Sequence, residues 1–165
     1  MASITIGGNP THTNGELPKV GTKAIDFSLV NTELELTHLS DFAGSKLILN
    51  IFPSIETGIC STSVRTFNAK ASSLENTKVL CISRDLPFTL KKFCGAEGLE
   101  NVISLSDFRT GAFGKEYGLE LIDGVFNGLL SRVIIVIDEN GIIKYTEQVP
   151  EIGNEPDYES ALAAL

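Results

Sequence analysis

The sequence predicts an α/β fold in which a mixed central sheet carries helices on both faces and follows an N-terminal β-hairpin. Three observations lead there. Apolar runs at 47–52, 78–83 and 133–137 have the length of buried strands. Between the first two, Cys60, Val64, Phe67, Ala71 and Leu74 fall on one stripe of a helix spanning 58–74. The third run is followed by Asp138-Glu139-Asn140-Gly141 and then Ile142–Thr146, which signals a hairpin.

Taken in order, Ser3–Gly7 and Thr11–Leu17 alternate weakly around Gly7-Gly8-Asn9-Pro10 and suggest the opening hairpin. Ala24–Val30 reads as a short strand, and His38–Phe42 as one helical turn ended by Gly44. Leu47–Phe52, the helix over 58–74 and Lys78–Ser83 form a strand–helix–strand unit, which implies a parallel pair with a right-handed crossover. A short helix is predicted over Leu86–Phe93, with Pro87 in its first turn and Gly95 after its end. Val102–Leu105 is strand-like and Thr110–Tyr117 a short helix. Arg132–Ile137 and Ile142–Thr146 make the late hairpin, and Pro156 and Asp157 open a last helix towards Leu165. No linker or repeat interrupts this order, so one domain spanning 1–165 is expected, with the layout of a thioredoxin-like fold.

Composition excludes several roles. The net charge of −8 and the absence of a Lys/Arg cluster argue against nucleic acid or an anionic membrane as a partner, since both need a basic face. No apolar run is long enough to span a bilayer. The first fifteen residues lack a basic start and an apolar core, so no signal peptide is read and a cytoplasmic location is expected. Three cysteines, Cys60, Cys81 and Cys94, suit free thiols or a redox pair better than a disulfide framework. There is no C-x-x-C, and His12 and His38 show no metal-ligand spacing, so neither a metal nor another cofactor is expected.

Cys60 carries two readings. On its stripe with Val64 and Phe67 it resembles a packed core thiol. Its flanks favour chemistry. Thr57 is a plausible N-cap, which puts Cys60 in the first helical turn, where free N–H groups and the helix dipole stabilise an anion such as a thiolate. Pro53 is a rigid residue at the strand end that would shield the site from water without donating a hydrogen bond.

Pro53-x-x-x-Thr57-x-x-Cys60 matches the active-site pattern of the peroxiredoxins. With NIFPSIETGICSTSVRTFN, VLCISRDLPF, KKFCGAEGLENVISLSDFR, RVIIVIDENG and EPDYESALA, the chain resembles their thiol peroxidase branch, the atypical two-cysteine type, from about Thr22 onwards. The resemblance implies that hydrogen peroxide and organic hydroperoxides are reduced at Cys60 as the peroxidatic thiol. It also implies Cys94 as the resolving thiol in an intramolecular Cys60–Cys94 disulfide, thioredoxin as reductant, and a homodimer.

Ionising a thiol of pKa about 8.5 completely raises its thiolate fraction at pH 7 roughly thirtyfold, but the accompanying loss of nucleophilicity takes back about tenfold. A fast peroxidase therefore also needs a cation and donors that hold the peroxide. Arg132, at the start of a strand otherwise read as core, is either a strand-end residue reaching solvent or that cation; the resemblance favours the cation. Arg65 and Arg109 are weaker alternatives, and the N–H groups of residues 59 and 60 could complete the cradle. Cys94, before Gly95-Ala96-Glu97-Gly98, is either a buried thiol closing a short helix or one in a segment able to open locally, whereas Cys81 in a buried strand reads as inert packing. The competing functions are a redox sensor using the same thiols, a disulfide reductase weakened by the missing C-x-x-C, and a metal-binding module without ligands. Phe42, Ile55, Phe88, Leu119, Leu121 and Phe126 could form an apolar neighbourhood for organic peroxides, or simply core and interface.

Overall fold

The structure is a computed structural model describing residues 1–165. Its centre is a seven-stranded mixed sheet in the order β4-β3-β7-β6-β5-β8-β9. The strands are β3 (Ser28–Asn31), β4 (Leu36–His38), β5 (Lys46–Ile51), β6 (Thr77–Ser83), β7 (Ile103–Ser106), β8 (Val133–Ile137) and β9 (Ile143–Gln148). β5, β6 and β7 are parallel, and the outer pairings are antiparallel.

The apolar runs are nearly continuous because both faces of the central strands are covered. Leu47, Leu49 and Ile51 join Leu80, Ile82, Leu105 and Ile135 in one core. That core is closed by Phe113 and Tyr117, from and just after α3 (Ala112–Glu116), and by Phe27. Ile48 and Phe52 face the other way, with Val79, Cys81, Ile134 and Val136. That face is covered by α1 (Gly58–Ala71), α2 (Pro87–Glu97) and α4 (Tyr158–Ala163) through Val64, Phe67, Leu90 and Ala161. Burying each large side chain stabilises the fold by about 1.5–3 kcal/mol before entropy is counted.

The opening hairpin is present as β1 (Ser3–Ile6) and β2 (Asn9–His12), but its turn is shorter than the sequence suggested. Gly7 and Gly8 both have positive φ, +56° and +81°, and close a two-residue turn alone, so Asn9 and Pro10 belong to the strand. The Glu151 carboxylate grips this turn, accepting from Gly7 N at 2.7 Å, from Gly8 N at 3.2 Å and from the Thr5 hydroxyl.

Several element bounds need correction. The strand read at Ala24–Val30 begins only at Ser28; Ala24 and Phe27 are buried without joining the ladder. β4 was not foreseen, being a three-residue edge strand. α2 does not stop at Phe93. Gly95 stays helical, and the helix ends at Gly98, whose φ of +64° lets Leu99 N donate back to the Cys94 carbonyl at 2.9 Å. No helix is long and apolar enough to cross a membrane.

Candidate active site

β5 delivers the chain to Phe52 and the buried Pro53, and the turn 54–57 leads into α1. Cys60 lies in the first turn of α1 and is fully buried. The first backbone hydrogen bond into the helix is Ser61 N to the Thr57 carbonyl at 3.0 Å, so the N–H groups of Gly58, Ile59 and Cys60 have no carbonyl partner. Thr57 has the extended backbone of an N-cap, but its side chain does not cap. Its hydroxyl donates instead to the Ser54 carbonyl at 3.1 Å. The proton of that hydroxyl is therefore engaged, and its oxygen is free to accept.

Arg132 just precedes β8, and it is not a solvent-reaching strand end: only 3% of it is exposed. Its Nη2 donates to Cys60 Sγ at 3.4 Å and its Nε to the Ile152 carbonyl at 2.8 Å. Nη1 is buried without a partner, and no carboxylate forms a salt bridge with this guanidinium. A buried cation without a counter-ion is costly, so an anionic sulfur at Cys60 suits this place. The Ile152 carbonyl is set by the hairpin, since Ile152 N donates to the Thr5 carbonyl at 2.9 Å.

The alternative arginines lie elsewhere. Arg65 forks onto Glu97 at 2.8 Å through both Nε and Nη2, tying α1 to the last turn of α2. Arg109 is exposed over the Phe108 ring. Leu119 and Leu121 are core residues, Phe88 is 66% exposed, and Ile55 shares the apolar cluster of Cys60.

Cys94 stands in the last turn of α2, half-buried and free, with Sγ 3.3 Å from Ser104 Oγ. Burial pushes its thiol up, more than the Ser104 hydrogen bond lowers it. Cys81 is buried in β6, where Asn50 Nδ2 approaches its sulfur at 3.8 Å; burial pushes that thiol up to about 12. Sequence reasoning missed Asp85, which follows β6 and accepts from Ser54 Oγ at 2.7 Å and Ile55 N at 2.8 Å. An acid just past the C-terminal end of a parallel strand, where binding sites gather, was the available signal. It also missed Ser104 and the Ile152 carbonyl.

Residues 19–162 match the Redoxin family. A thiol peroxidase of Corynebacterium glutamicum is 57% identical over 165 residues, which is all of this chain and 99% of that protein. The chain belongs to the redoxin family, among its thiol peroxidases. A thiol peroxidase of Mycobacterium tuberculosis is 52% identical over the same span. A peroxiredoxin-like protein from Aquifex aeolicus superimposes with a TM-score of 0.93 at 31% identity, covering 99% of this chain and 95% of that one. The redoxin assignment carries an enzyme of the peroxiredoxin type, one that reduces peroxide with a thiol.

Proposed function

We propose that Cys60 is the peroxidatic thiol and that Arg132, Thr57 and Pro53 frame the peroxide around it. The observation that carries this is the Arg132 guanidinium: buried, without a carboxylate, donating to Cys60 Sγ and keeping Nη1 unclaimed. Nη2 favours the thiolate, and Nη1 supplies a donor to a peroxide oxygen. The Thr57 oxygen accepts the peroxide O–H, because its own proton is engaged with Ser54. Pro53, buried beside Phe52, keeps water out.

The thiolate attacks one peroxide oxygen. An S–O bond forms, the O–O bond breaks, and the departing oxygen leaves as water or alcohol after taking up a proton. Arg132 and the free N–H groups of the first turn stabilise the charge that builds on the oxygens. Cys94 then attacks the Cys60 sulfenic acid, forming the S–S bond and releasing water. Both thiols begin on helices, so the first turn of α1, the end of α2, or both must open before the sulfurs meet. A dithiol, thioredoxin in our proposal, restores the thiols and leaves as a disulfide. Cys94 lines an open groove with Lys91, Leu99 and Ser104, which gives such a reductant an approach. Organic as well as hydrogen peroxide is proposed as substrate, with Ile55 and Phe52 giving the site an apolar wall. We propose also a homodimer and a cytoplasmic location.

One equivalent of peroxide followed by mass spectrometry tests this. The wild type is expected to lose two hydrogens in a Cys60–Cys94 linked peptide pair, and Cys94→Ser to carry a dimedone adduct on Cys60. An adduct on Cys81 or Cys94 in the wild type would overturn the assignment.

A further inference from the structure

Asp85 follows β6 by two residues and leads directly into α2. Its carboxylate collects three hydrogen bonds. Oδ1 accepts from Ser54 Oγ at 2.7 Å, and Oδ2 accepts from Ile55 N at 2.8 Å and from Ser83 Oγ at 2.6 Å. No Lys or Arg forms a salt bridge with it, so the acid is spent on positioning rather than on an ion pair. Its own backbone is fixed to the sheet: Asp85 N donates to Ser83 Oγ at 3.2 Å, and the Asp85 carbonyl accepts from Ser106 Oγ.

From this fixed acid the whole turn before Cys60 is set. Ser54 and Ile55 are held directly. Glu56 N donates to Ser54 Oγ at 3.2 Å. Thr57 N and Thr57 Oγ1 both donate to the Ser54 carbonyl, at 3.2 and 3.1 Å. Thr57 in turn offers the carbonyl that starts α1. Every residue from 54 to 57 is thus one or two hydrogen bonds from a single carboxylate.

We infer that Asp85 is a positioning residue that latches the turn 54–57 in its peroxide-reactive arrangement and sets the balance between the peroxide step and the opening that disulfide formation requires. The inference rests on Cys60 as the peroxidatic thiol and adds what holds its turn closed. With the latch intact, Thr57 stays placed to accept from the peroxide. When it is released, the first turn of α1 opens more readily. Asp85 therefore speeds oxidation of Cys60 and slows its capture by Cys94, which lengthens the time in which a second peroxide can carry the sulfenic acid to sulfinic acid.

The test is stopped-flow measurement of both steps in the full chain, for wild type, Asp85→Ala and Asp85→Asn, with sulfinic acid scored by mass spectrometry at high peroxide. Asp85→Ala is expected to slow the peroxide step about tenfold to hundredfold, as misplacement of a reacting group does, while disulfide formation quickens and sulfinic acid declines. Asp85→Asn should lie closer to wild type, because its oxygen serves Ile55 N and its amide donates to Ser54 Oγ. If Asp85→Ala does not fold, Ser54→Ala removes the Oδ1 link together with the Glu56 N bond to the same hydroxyl, leaves the Oδ2 bond to Ile55 N, and should shift the two rates in the same opposite senses. A variant in which the peroxide step does not slow, or disulfide formation does not quicken, overturns the latch. A wild type without a fast peroxide step overturns the Cys60 assignment instead.

Discussion

Arg132 and Cys60 are 72 residues apart in the chain, and the Nη2 of one lies 3.4 Å from the Sγ of the other. Replacing the guanidinium removes both the charge beside the sulfur and the unclaimed Nη1. Arg132→Met is expected to slow the peroxide step on the order of 10²- to 10³-fold, as loss of a transition-state donor does elsewhere. Arg132→Lys keeps the charge but not the fork, and should fall between. Single-turnover kinetics with reduced protein measures both; a Met variant as fast as wild type would remove Arg132 from the site.

Arg65 and Glu97 brace α1, which carries Cys60, against α2, which carries Cys94. The pair is exposed, so its worth is modest, but in the proposed cycle it loosens when the end of α2 opens. Glu97→Gln should leave the peroxide step unchanged and quicken disulfide formation by up to about fivefold, the span of an exposed ion pair. Tryptic mapping after quenched mixing reads the second rate.

Cys81 and Cys94 contribute to the alkaline fall of stability, alongside Tyr117 and Tyr158, whose hydroxyls burial also pushes up. Burial raises both thiols, Cys81 to about 12. A folded pKa above the unfolded one stabilises at lower pH, and that contribution fades as pH climbs from about 9, where the unfolded thiols ionise, towards 12. The urea midpoint should therefore fall over this window, and Cys81→Ala should flatten the fall. An unchanged slope in the variant would show that Cys81 is not the group responsible.

Part of the site was legible from spacing and part only from the resemblance. The cap reading of Thr57 placed Cys60 at the start of α1, whereas Arg132 stayed open between a solvent-reaching strand end and a cation until the peroxiredoxin resemblance favoured the cation. The direction of Thr57 was not legible. An N-cap by backbone shape normally turns its hydroxyl onto the helix, but here the Ser54 carbonyl takes that proton. The end of α2 was misjudged because a glycine inside a helix costs only about 1 kcal/mol, so Gly95 did not stop it; Gly98, needing positive φ, did. Asp85 was hidden because its partners, Ser54 and Ile55, lie on a different segment and meet it only once β5 and β6 are paired.

Phe67 anchors α1 on the sheet, fully buried and edge-on to Tyr158 at 5.2 Å. Phe67→Ala should cost about 3–5 kcal/mol of stability. Denaturant unfolding checks the loss; a cost below 1 kcal/mol would mean that this face of the sheet is not the packed core described.

The most direct measurement is the stopped-flow reaction of the reduced enzyme with peroxide, comparing wild type, Cys60→Ser and Cys94→Ser. A fast step that Cys60→Ser abolishes, and that Cys94→Ser keeps while stalling at sulfenic acid, is the expected result. A wild-type Cys60 that reacts no faster than a small free thiol would contradict the roles given to Arg132, Thr57 and the turn that Asp85 holds.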